Sequence, residues 1–306
     1  MKAVVTRAEV VAAILAISTL MVPLSSVRGE VGADWNPSEA GMATLHRIAA
    51  IGDGPDPWSG IWLTLGSPSS GRVILNPLGD ANGDGPPSVI TDPTTGVLLV
   101  AWAKNSPNGF DVVLSQFANG TWTTPQVVAG DVLVSEKDPT MVLAADGSVH
   151  LFYWIDGTEP AVYYKHGSPD LTSWSAPVLV SQAGEPACRP AAAIHNGVLH
   201  VAYEVHDFGL NNAPSEVVLS RQDGSGFTPE IVAMTNNSGS ISPQVHSQSG
   251  HIWVDWVDTE SDGAGEVGWT RIDSQGHWEP IQYESFPDPL TREYLVRSAV
   301  KLKAIR

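Results

Sequence analysis

The sequence predicts an all-β protein folded as a β-propeller of four-stranded blades, and three sets of repeated residues support this prediction. Turn glycines recur at intervals of 51, 50 and 53 residues, at Gly96, Gly147, Gly197 and Gly250. An aromatic residue follows each glycine six or seven positions later, at Trp102, Trp154, Tyr203 and Trp256. A second aromatic set recurs at intervals of 52, 53 and 51 residues, at Trp122, Trp174, Phe227 and Trp278. A regular period of about fifty residues with frequent turn signals and no helical pattern is typical of propeller blades.

Each repeat divides into four predicted strands. The first opens at a proline, in turn Pro87, Pro139, Pro190 and Pro243. The second is the apolar run that ends in the first aromatic residue, the third lies between the two aromatic sets, and the fourth follows the second aromatic residue. A sheet of this kind buries both faces only by stacking on its neighbours, which predicts a closed ring. A two-sheet sandwich is the alternative, but it requires no regular period.

The ends of the chain are predicted to complete a further blade. Four repeats cover residues 86 to about 285, the tail "LVRSAVKLKAIR" matches a first strand, and strand-like segments precede residue 80. We therefore expect five blades, with six as the alternative, in one propeller domain over residues 43–306. Residues 30–42 are expected to form a linker. Residues 1–29 have the charged start and apolar run of a secretory signal peptide, and an uncleaved anchor helix is the alternative.

The charge of the chain restricts its partners. The formal net charge is −17 with only 16 Lys and Arg residues, so no basic surface is available for phosphate groups. Nucleic acids and anionic lipids are therefore not expected as partners, and a glycan or an extracellular protein is. The only cysteine, Cys188, excludes an internal disulfide. With the signal-like start, these features predict a secreted protein, extracellular or periplasmic, that has no membrane span after signal cleavage.

The repeat resembles the sialidase-like propellers with BNR repeats, whose Asp-box hairpins read Ser-x-Asp-x-Gly-x-x-Trp. The segment "SRQDGSGF", Ser220–Phe227, is similar to this box, with Asp223 one position late. The resemblance covers about two thirds of the chain and implies the propeller architecture rather than an activity. Sialidases also grip a substrate carboxylate with three arginines, and here Arg189 and Arg297 lie at first-strand positions of the repeat.

A second resemblance concerns the stretch "DPTMVLAADGSVHLFYW", which begins at Asp138. It looks like the Asp-Pro strand and Asp-Gly hairpin of five-bladed glycoside hydrolases that act on arabinan and xylan. There, a first-strand aspartate is the general base, and a carboxylic acid on another blade protonates the leaving group. The resemblance implies Asp138 as base. Among the carboxyl groups expected at the same mouth of the propeller, Glu204 is the candidate acid, and Asp156 or Asp258 would tune the charge. The alternative for Asp138 is the polar start of a strand, because Asp before Pro commonly initiates a turn.

Propeller geometry places the start of each first strand and the loop between the second and third strands at the same face. Side chains at these positions would ring one mouth of the central channel. The candidate ligand-binding residues predicted there are Arg189 and Arg297 at first-strand starts, and Asp156, His206, Asp207 and Asp258 on the loops beside Glu204. The His206–Asp207 pair suits a metal or a sugar, and a solvated loop is its alternative.

A calcium loop is predicted at "GDANGDGPPS", residues 79–88. Alternating side-chain oxygens followed by a glycine are typical of a site for one hard cation. The expected ligands of a structural Ca²⁺ are Asp80, Asn82, Asp84, the carbonyl of Pro86, and Ser88. The spacing resembles the calcium loops of FG-GAP repeats and dockerins, and a turn without metal is the alternative.

Three functions are compatible with these features. The first is a non-catalytic propeller that binds carbohydrate or protein at the channel mouth. The second is a glycoside hydrolase that uses Asp138 and Glu204. The third is a structural module of a surface assembly. The incomplete Asp-boxes and the small number of arginines favour the first.

Overall fold

The computed structural model describes residues 85–286, except 86, 93, 119–120, 132, 207–214, 235–238, 260–264 and 274–275, together with the backbone of four short strands nearer the N-terminus. At some strand ends in this range the backbone alone is described. The signal peptide and linker expected over residues 1–42 and the expected closing strand at residues 295–306 lie outside the described residues.

The described structure consists of antiparallel strands. Numbered in chain order, they are β1 (Ala43–Thr44), β2 (Ile48–Ala49), β3 (Gly60–Leu65), β4 (Arg72–Ile74), β5 (Ser88–Thr91), β6 (Leu98–Ser106), β7 (Gly109–Ala118), β8 (Thr121–Trp122), β9 (Gln126–Ala129), β10 (Ser135–Leu143), β11 (Val149–Asp156), β12 (Ala161–Gly167), β13 (Val178–Leu179), β14 (Ala187–His195), β15 (Val198–His206), β16 (Ser215–Asp223), β17 (Gly226–Met234), β18 (Gly239–Gln248), β19 (His251–Thr259), β20 (Gly265–Ile272) and β21 (Gln282–Phe286). No helix able to cross a bilayer is found in the described part of the chain.

The strands after residue 85 form four sheets, each with its strands in chain order. Blade I contains β5–β9, with both β8 and β9 paired to β7; blade II contains β10–β13, blade III β14–β17 and blade IV β18–β21. Near the N-terminus, β3 pairs with β1, β2 and β4 in a smaller sheet. The predicted fold class is therefore confirmed: the chain is an all-β propeller of four-stranded antiparallel blades. The number of blades in the complete ring stays a prediction.

The core lies between successive blades. Side chains of blades I and II, of II and III, and of III and IV form three buried apolar clusters. Three residues of the first aromatic set belong to these clusters, namely Trp154, Tyr203 and Trp256, and the fourth, Trp102, is fully buried. Gly268 lies under Trp256, where an added Cβ would come within 2.3 Å of the indole ring. The predicted period therefore reflects stacking of blades, which each sheet requires in order to bury both faces.

The first strands differ from the prediction at their starts. Strands β10, β14 and β18 begin three or four residues before the prolines that were expected to open them. Each strand continues through its proline by means of a shift in register against the second strand. Proline has no N–H to donate to the ladder, and a β-bulge accommodates it within a paired strand.

Candidate functional site

Two of these bulges place a charged residue in a strained backbone conformation. Asp138 precedes Pro139 in β10, and Arg189 precedes Pro190 in β14; their φ angles are +45° and +51°. Non-glycine residues rarely adopt positive φ, and such strain is concentrated at functional positions. Because β10 and β14 lie side by side, the two side chains occupy equivalent places on neighbouring blades. The bulge takes both side chains out of the regular alternation of their strands.

The Asp138 carboxylate is held by an indole of its own blade. Trp154 Nε1 donates a hydrogen bond to Asp138 Oδ2 at 2.9 Å. The sequence predicts a core position for Trp154 because it belongs to the first aromatic set. Its ring is indeed largely buried, but it also orients the predicted base. The sequence signal for this role is the Asp-Pro pair on the neighbouring strand. The contact itself can be predicted only when the register of β10 against β11 is known.

Glu204 lies deeper than predicted. The sequence placed it on a loop, whereas it lies within β15, opposite Cys188, and is fully buried. Nη1 of Arg189 lies 3.2 Å from both oxygens of its carboxylate. The Cys188 thiol also donates to Glu204 Oε2, at 3.7 Å. The predicted loop position was wrong because β15 continues to His206, beyond Tyr203, where the apolar run ends.

The Arg189–Glu204 pair extends from the interior to the surface. The side chain of Arg189 is 46% exposed, whereas that of Glu204 is completely covered. Burial by itself lowers the pKa of Arg189, but Glu204, Cys188 and Asp138 more than compensate, and the pKa is raised. Burial and the neighbouring Glu204 raise the pKa of the Cys188 thiol, which therefore remains protonated and can donate. Glu204 is thus paired with the Arg189 guanidinium, and Asp138 contributes to the raised pKa of Arg189 from the neighbouring blade.

A second ion pair lies beside the first. The Lys137 ammonium contacts Asp156 Oδ2, and Asp156 is the last residue of β11. The same ammonium lies 5.3 Å from the ring centroid of Phe110 and 5.5 Å from that of Trp154, both within cation–π range. Lys137 was missed by sequence reasoning, because its partners come from two blades. We call these groups the bulge cluster, which comprises Phe110, Lys137, Asp138, Trp154, Asp156, Cys188, Arg189 and Glu204.

Other predicted site residues are only partly placed. His206 ends β15 and Asp258 lies within β19, so both belong to strands rather than to the expected loops, and only their backbone is described. Asp207 and Arg297 lie outside the described residues. The bulge cluster therefore contains four of the predicted catalytic and ligand-binding residues: Asp138, Asp156, Arg189 and Glu204.

The predicted calcium loop precedes blade I. Asp80, Asn82, Asp84 and Pro86 lie outside the described residues, so calcium binding stays a prediction. Ser88 begins β5 and is fully buried, and its Oγ accepts a hydrogen bond from the backbone N–H of Met141 at 3.0 Å. The hydroxyl thereby links blades I and II.

A buried carboxyl outside the bulge cluster was also missed. Glu136 is 3% exposed, and its Oε2 has no hydrogen-bond partner among the described residues. Burial, with smaller contributions from Asp111 and Asp131, raises the pKa of Glu136 from 4.5 to about 7. In the sequence it looks like one more acidic residue at a strand start, and nothing there shows that blade I covers it.

Comparisons with known proteins identify solved structures of similar fold, but they do not assign the chain to a family. No protein-family model matches the chain. No curated protein matches it either. Among solved structures, a protein of unknown function from Dyadobacter fermentans is 14% identical, with a TM-score of 0.53, over 65% of this chain and 68% of that one. An endo-1,4-β-xylanase from Bacteroides thetaiotaomicron is 12% identical, with a TM-score of 0.50, over 78% of this chain and 90% of that one.

A polysaccharide lyase that degrades ulvan is also similar, with 10% identity and a TM-score of 0.51 over 83% of this chain and 74% of that one. Glycoside hydrolases and a lyase are thus among its structural neighbours. At these identities the likeness shows the fold and leaves the sialidase-like resemblance a prediction. The chain is therefore a propeller that shares its architecture with carbohydrate-active enzymes.

Proposed function

We propose that the chain is a carbohydrate-binding propeller that holds its ligand, without cleaving it, at the bulge cluster. The observation that carries the proposal is the pairing of charges: Glu204 is ion-paired with Arg189, and Asp156 with Lys137. Glycoside hydrolysis needs one carboxyl group kept protonated beside another that is ionised. A cationic partner stabilises the charged form of a carboxylate, so the Arg189 pair favours anchoring by Glu204 over proton donation.

The exposed parts of the cluster suit a polar ligand. Arg189 and Asp156 have side chains that are 46% and 44% exposed, and Lys137 is 29% exposed. These groups offer donors and acceptors to hydroxyl groups. The aromatic ring of Phe110, half-buried at the start of β7, adds an apolar surface of the kind that sugar rings contact.

A glycan array tests this function. Labelled protein is expected to bind one group of oligosaccharides on the array. Asp138→Asn is expected to weaken that binding without lowering the melting temperature by more than a few degrees. The matched control is Asp223→Asn, at the β16–β17 hairpin of blade III. Equal retention by wild type and Asp138→Asn would place the binding site elsewhere.

A second candidate function is glycoside hydrolysis with Asp138 as base and Glu204 as acid. The hydrogen bond from the Trp154 indole to Asp138 supports it, since a general base must be held in position. Under this hypothesis Arg189 must release Glu204 before a proton can be donated. Release of a nitrophenol from aryl glycosides distinguishes the two functions. Turnover that is abolished in both Asp138→Asn and Glu204→Gln supports the hydrolase, whereas no turnover by the wild type supports the binding module.

The proposed function includes an extracytoplasmic location and a calcium ion. The signal-like residues 1–29 support secretion, and the acidic loop at residues 79–88 supports a structural Ca²⁺ at the entry to blade I. Detection of the mature protein outside the cytoplasm after expression of the full chain would test the first proposal.

A further inference from the structure

We propose that His150 and His166 form a site for one divalent transition-metal ion near one end of blade II. Imidazole nitrogen is a preferred ligand of Zn²⁺ and Cu²⁺, whereas Ca²⁺ and Mg²⁺ are bound by oxygen. The proposed ion is therefore of a different class from the calcium expected at residues 79–88. The site does not depend on the proposed binding of carbohydrate.

The register of blade II places the two histidines directly opposite each other. His150 is the second residue of β11, and its partner on β12 is His166. Directly opposed side chains on antiparallel strands lie on the same face of the sheet, with Cβ atoms about 5 Å apart. The sheet therefore holds both imidazoles within reach of a single ion.

The distance between the two rings agrees with the binding of one ion. The ring centroids of His150 and His166 are 5.2 Å apart, and the ring planes are inclined by 47°, so the rings are not stacked face to face. Zinc–imidazole bonds are about 2.0–2.1 Å long, and zinc ligands are arranged tetrahedrally. Each nitrogen lies about 1.2 Å from its ring centre, so two such ligands have ring centres about 5.2 Å apart.

The hydroxyl group of Tyr164 orients His150. It lies 2.7 Å from Nδ1 of His150, and the ring of Tyr164 is buried against Phe152 and Phe227. The contact with the hydroxyl at Nδ1 leaves Nε2 as the nitrogen for the metal. A metal-bound histidine almost always donates its second ring N–H to a fixed partner, which holds the ring in position and makes it a stronger ligand.

The surroundings of the pair are open to a cation. His166 is exposed and His150 is half-buried. Lys165, next to His166 on β12, lies on the opposite face of the sheet, where its Nζ donates to the carbonyl of Val128 in blade I. The net charge of −17 also favours the approach of a cation.

The pair supplies two protein ligands. No group of three or more His, Cys, Asp and Glu side chains that could hold a metal is found in the described part of the chain. We therefore expect water at the remaining positions of the ion, and weaker binding than in a structural zinc site with four protein ligands. The bulge cluster is not involved, since Asp156 ends β11 about 20 Å from His150.

Calorimetric titration with Zn²⁺ tests the site. Untagged protein is stripped of metal with a chelator and titrated in a non-coordinating buffer with excess Ca²⁺, which competes for the oxygen ligands of residues 79–88. We expect one Zn²⁺ to bind at the pair and to raise the melting temperature. His166→Ala should weaken this binding more than about tenfold, and Tyr164→Phe, which removes the orienting hydroxyl, should weaken it about tenfold.

The matched controls are two other histidines. His277 is 73% exposed between β20 and β21 of blade IV, and His206 is the histidine that the sequence predicted as a ligand. His277→Ala and His206→Ala should bind Zn²⁺ as the wild type does. The metal-free His166→Ala variant should melt with the wild type, because the side chain that it removes is exposed.

Three outcomes would overturn the proposal. The first is the absence of Zn²⁺ binding by the wild type. The second is undiminished binding by His166→Ala. The third is a loss of binding that occurs in His206→Ala or His277→Ala instead of in His166→Ala.

Discussion

Replacing Glu136 with glutamine is expected to stabilise the protein at alkaline pH. The carboxyl is 97% covered between blades I and II, and its pKa is raised from 4.5 to about 7. One pKa unit corresponds to about 1.4 kcal/mol, so ionised Glu136 lowers the free energy of unfolding by up to about 3 kcal/mol. Glutamine keeps the shape and removes the charge. Subtracting about 1 kcal/mol for its own incompletely paired amide leaves an expected gain of about 1–2 kcal/mol at pH 8.

The sign of the pH dependence follows from proton binding. Below pH 4.5 Glu136 is protonated in both the folded and the unfolded chain, so it carries no ionisation penalty. Between pH 4.5 and 7 the folded state binds more protons, so wild-type stability falls as the pH rises, and the penalty is complete above pH 7. The neighbouring charges that influence Glu136 are Asp111 and Asp131, and the carboxyl in turn acts on Lys165 and Tyr153.

Urea unfolding followed by tryptophan fluorescence at pH 4, 5, 6, 7 and 8 measures this effect. The difference between Glu136→Gln and wild type should increase steadily from pH 4 to pH 7 and then level off. Glu159→Gln, an exposed carboxyl on the same blade, serves as the control and should follow the wild type. Parallel curves for wild type and Glu136→Gln across the whole range would refute the assignment of a raised pKa to Glu136.

Three further predictions concern the calcium loop, the core and the bulge cluster. If the loop at residues 79–88 holds calcium, a chelator should lower the melting temperature reversibly, and an unchanged melting temperature would rule out a stabilising ion under those conditions. Gly268→Ala should cost about 1–3 kcal/mol in urea unfolding, because its Cβ would overlap the buried ring of Trp256; full stability would contradict that packing. Trp154→Phe should weaken glycan binding and cost about 1 kcal/mol through loss of the hydrogen bond to Asp138, and undiminished binding would show that the indole does not orient this carboxylate.

The architecture could be predicted from the sequence because blade stacking imposes a repeated requirement. Every blade needs a large aromatic residue in its second strand. Trp102, Tyr203 and Trp256 occupy this position and are fully buried. A period of this kind is visible along a single chain. The bulges are harder to predict. The prolines are visible in the sequence and predict strand starts, because a pattern of residue types does not show a change in register.

The sequence predicted several residues of the candidate site but not which of them form ion pairs with each other. The sequence predicts Asp138 and Glu204 at the same end of the ring, and the structure places both in the bulge cluster. Their partners depend on depth and on contacts between blades, which a sequence does not record. Arg189 therefore looked like a substrate anchor and Lys137 went unnoticed, although each engages a carboxylate.

The strained backbone at the bulges is a feature that two blades share, whereas the side chain at that position differs between them. Asp138 and Arg189 adopt the same unfavourable backbone conformation although one is an acid and the other a base. A cost shared by two unlike side chains follows from the proline that each precedes and from the need to keep the first strand paired. The backbone therefore presents whichever side chain stands at this position of the blade. Opposite charges therefore lie at equivalent positions of two neighbouring blades, with the same backbone conformation at both.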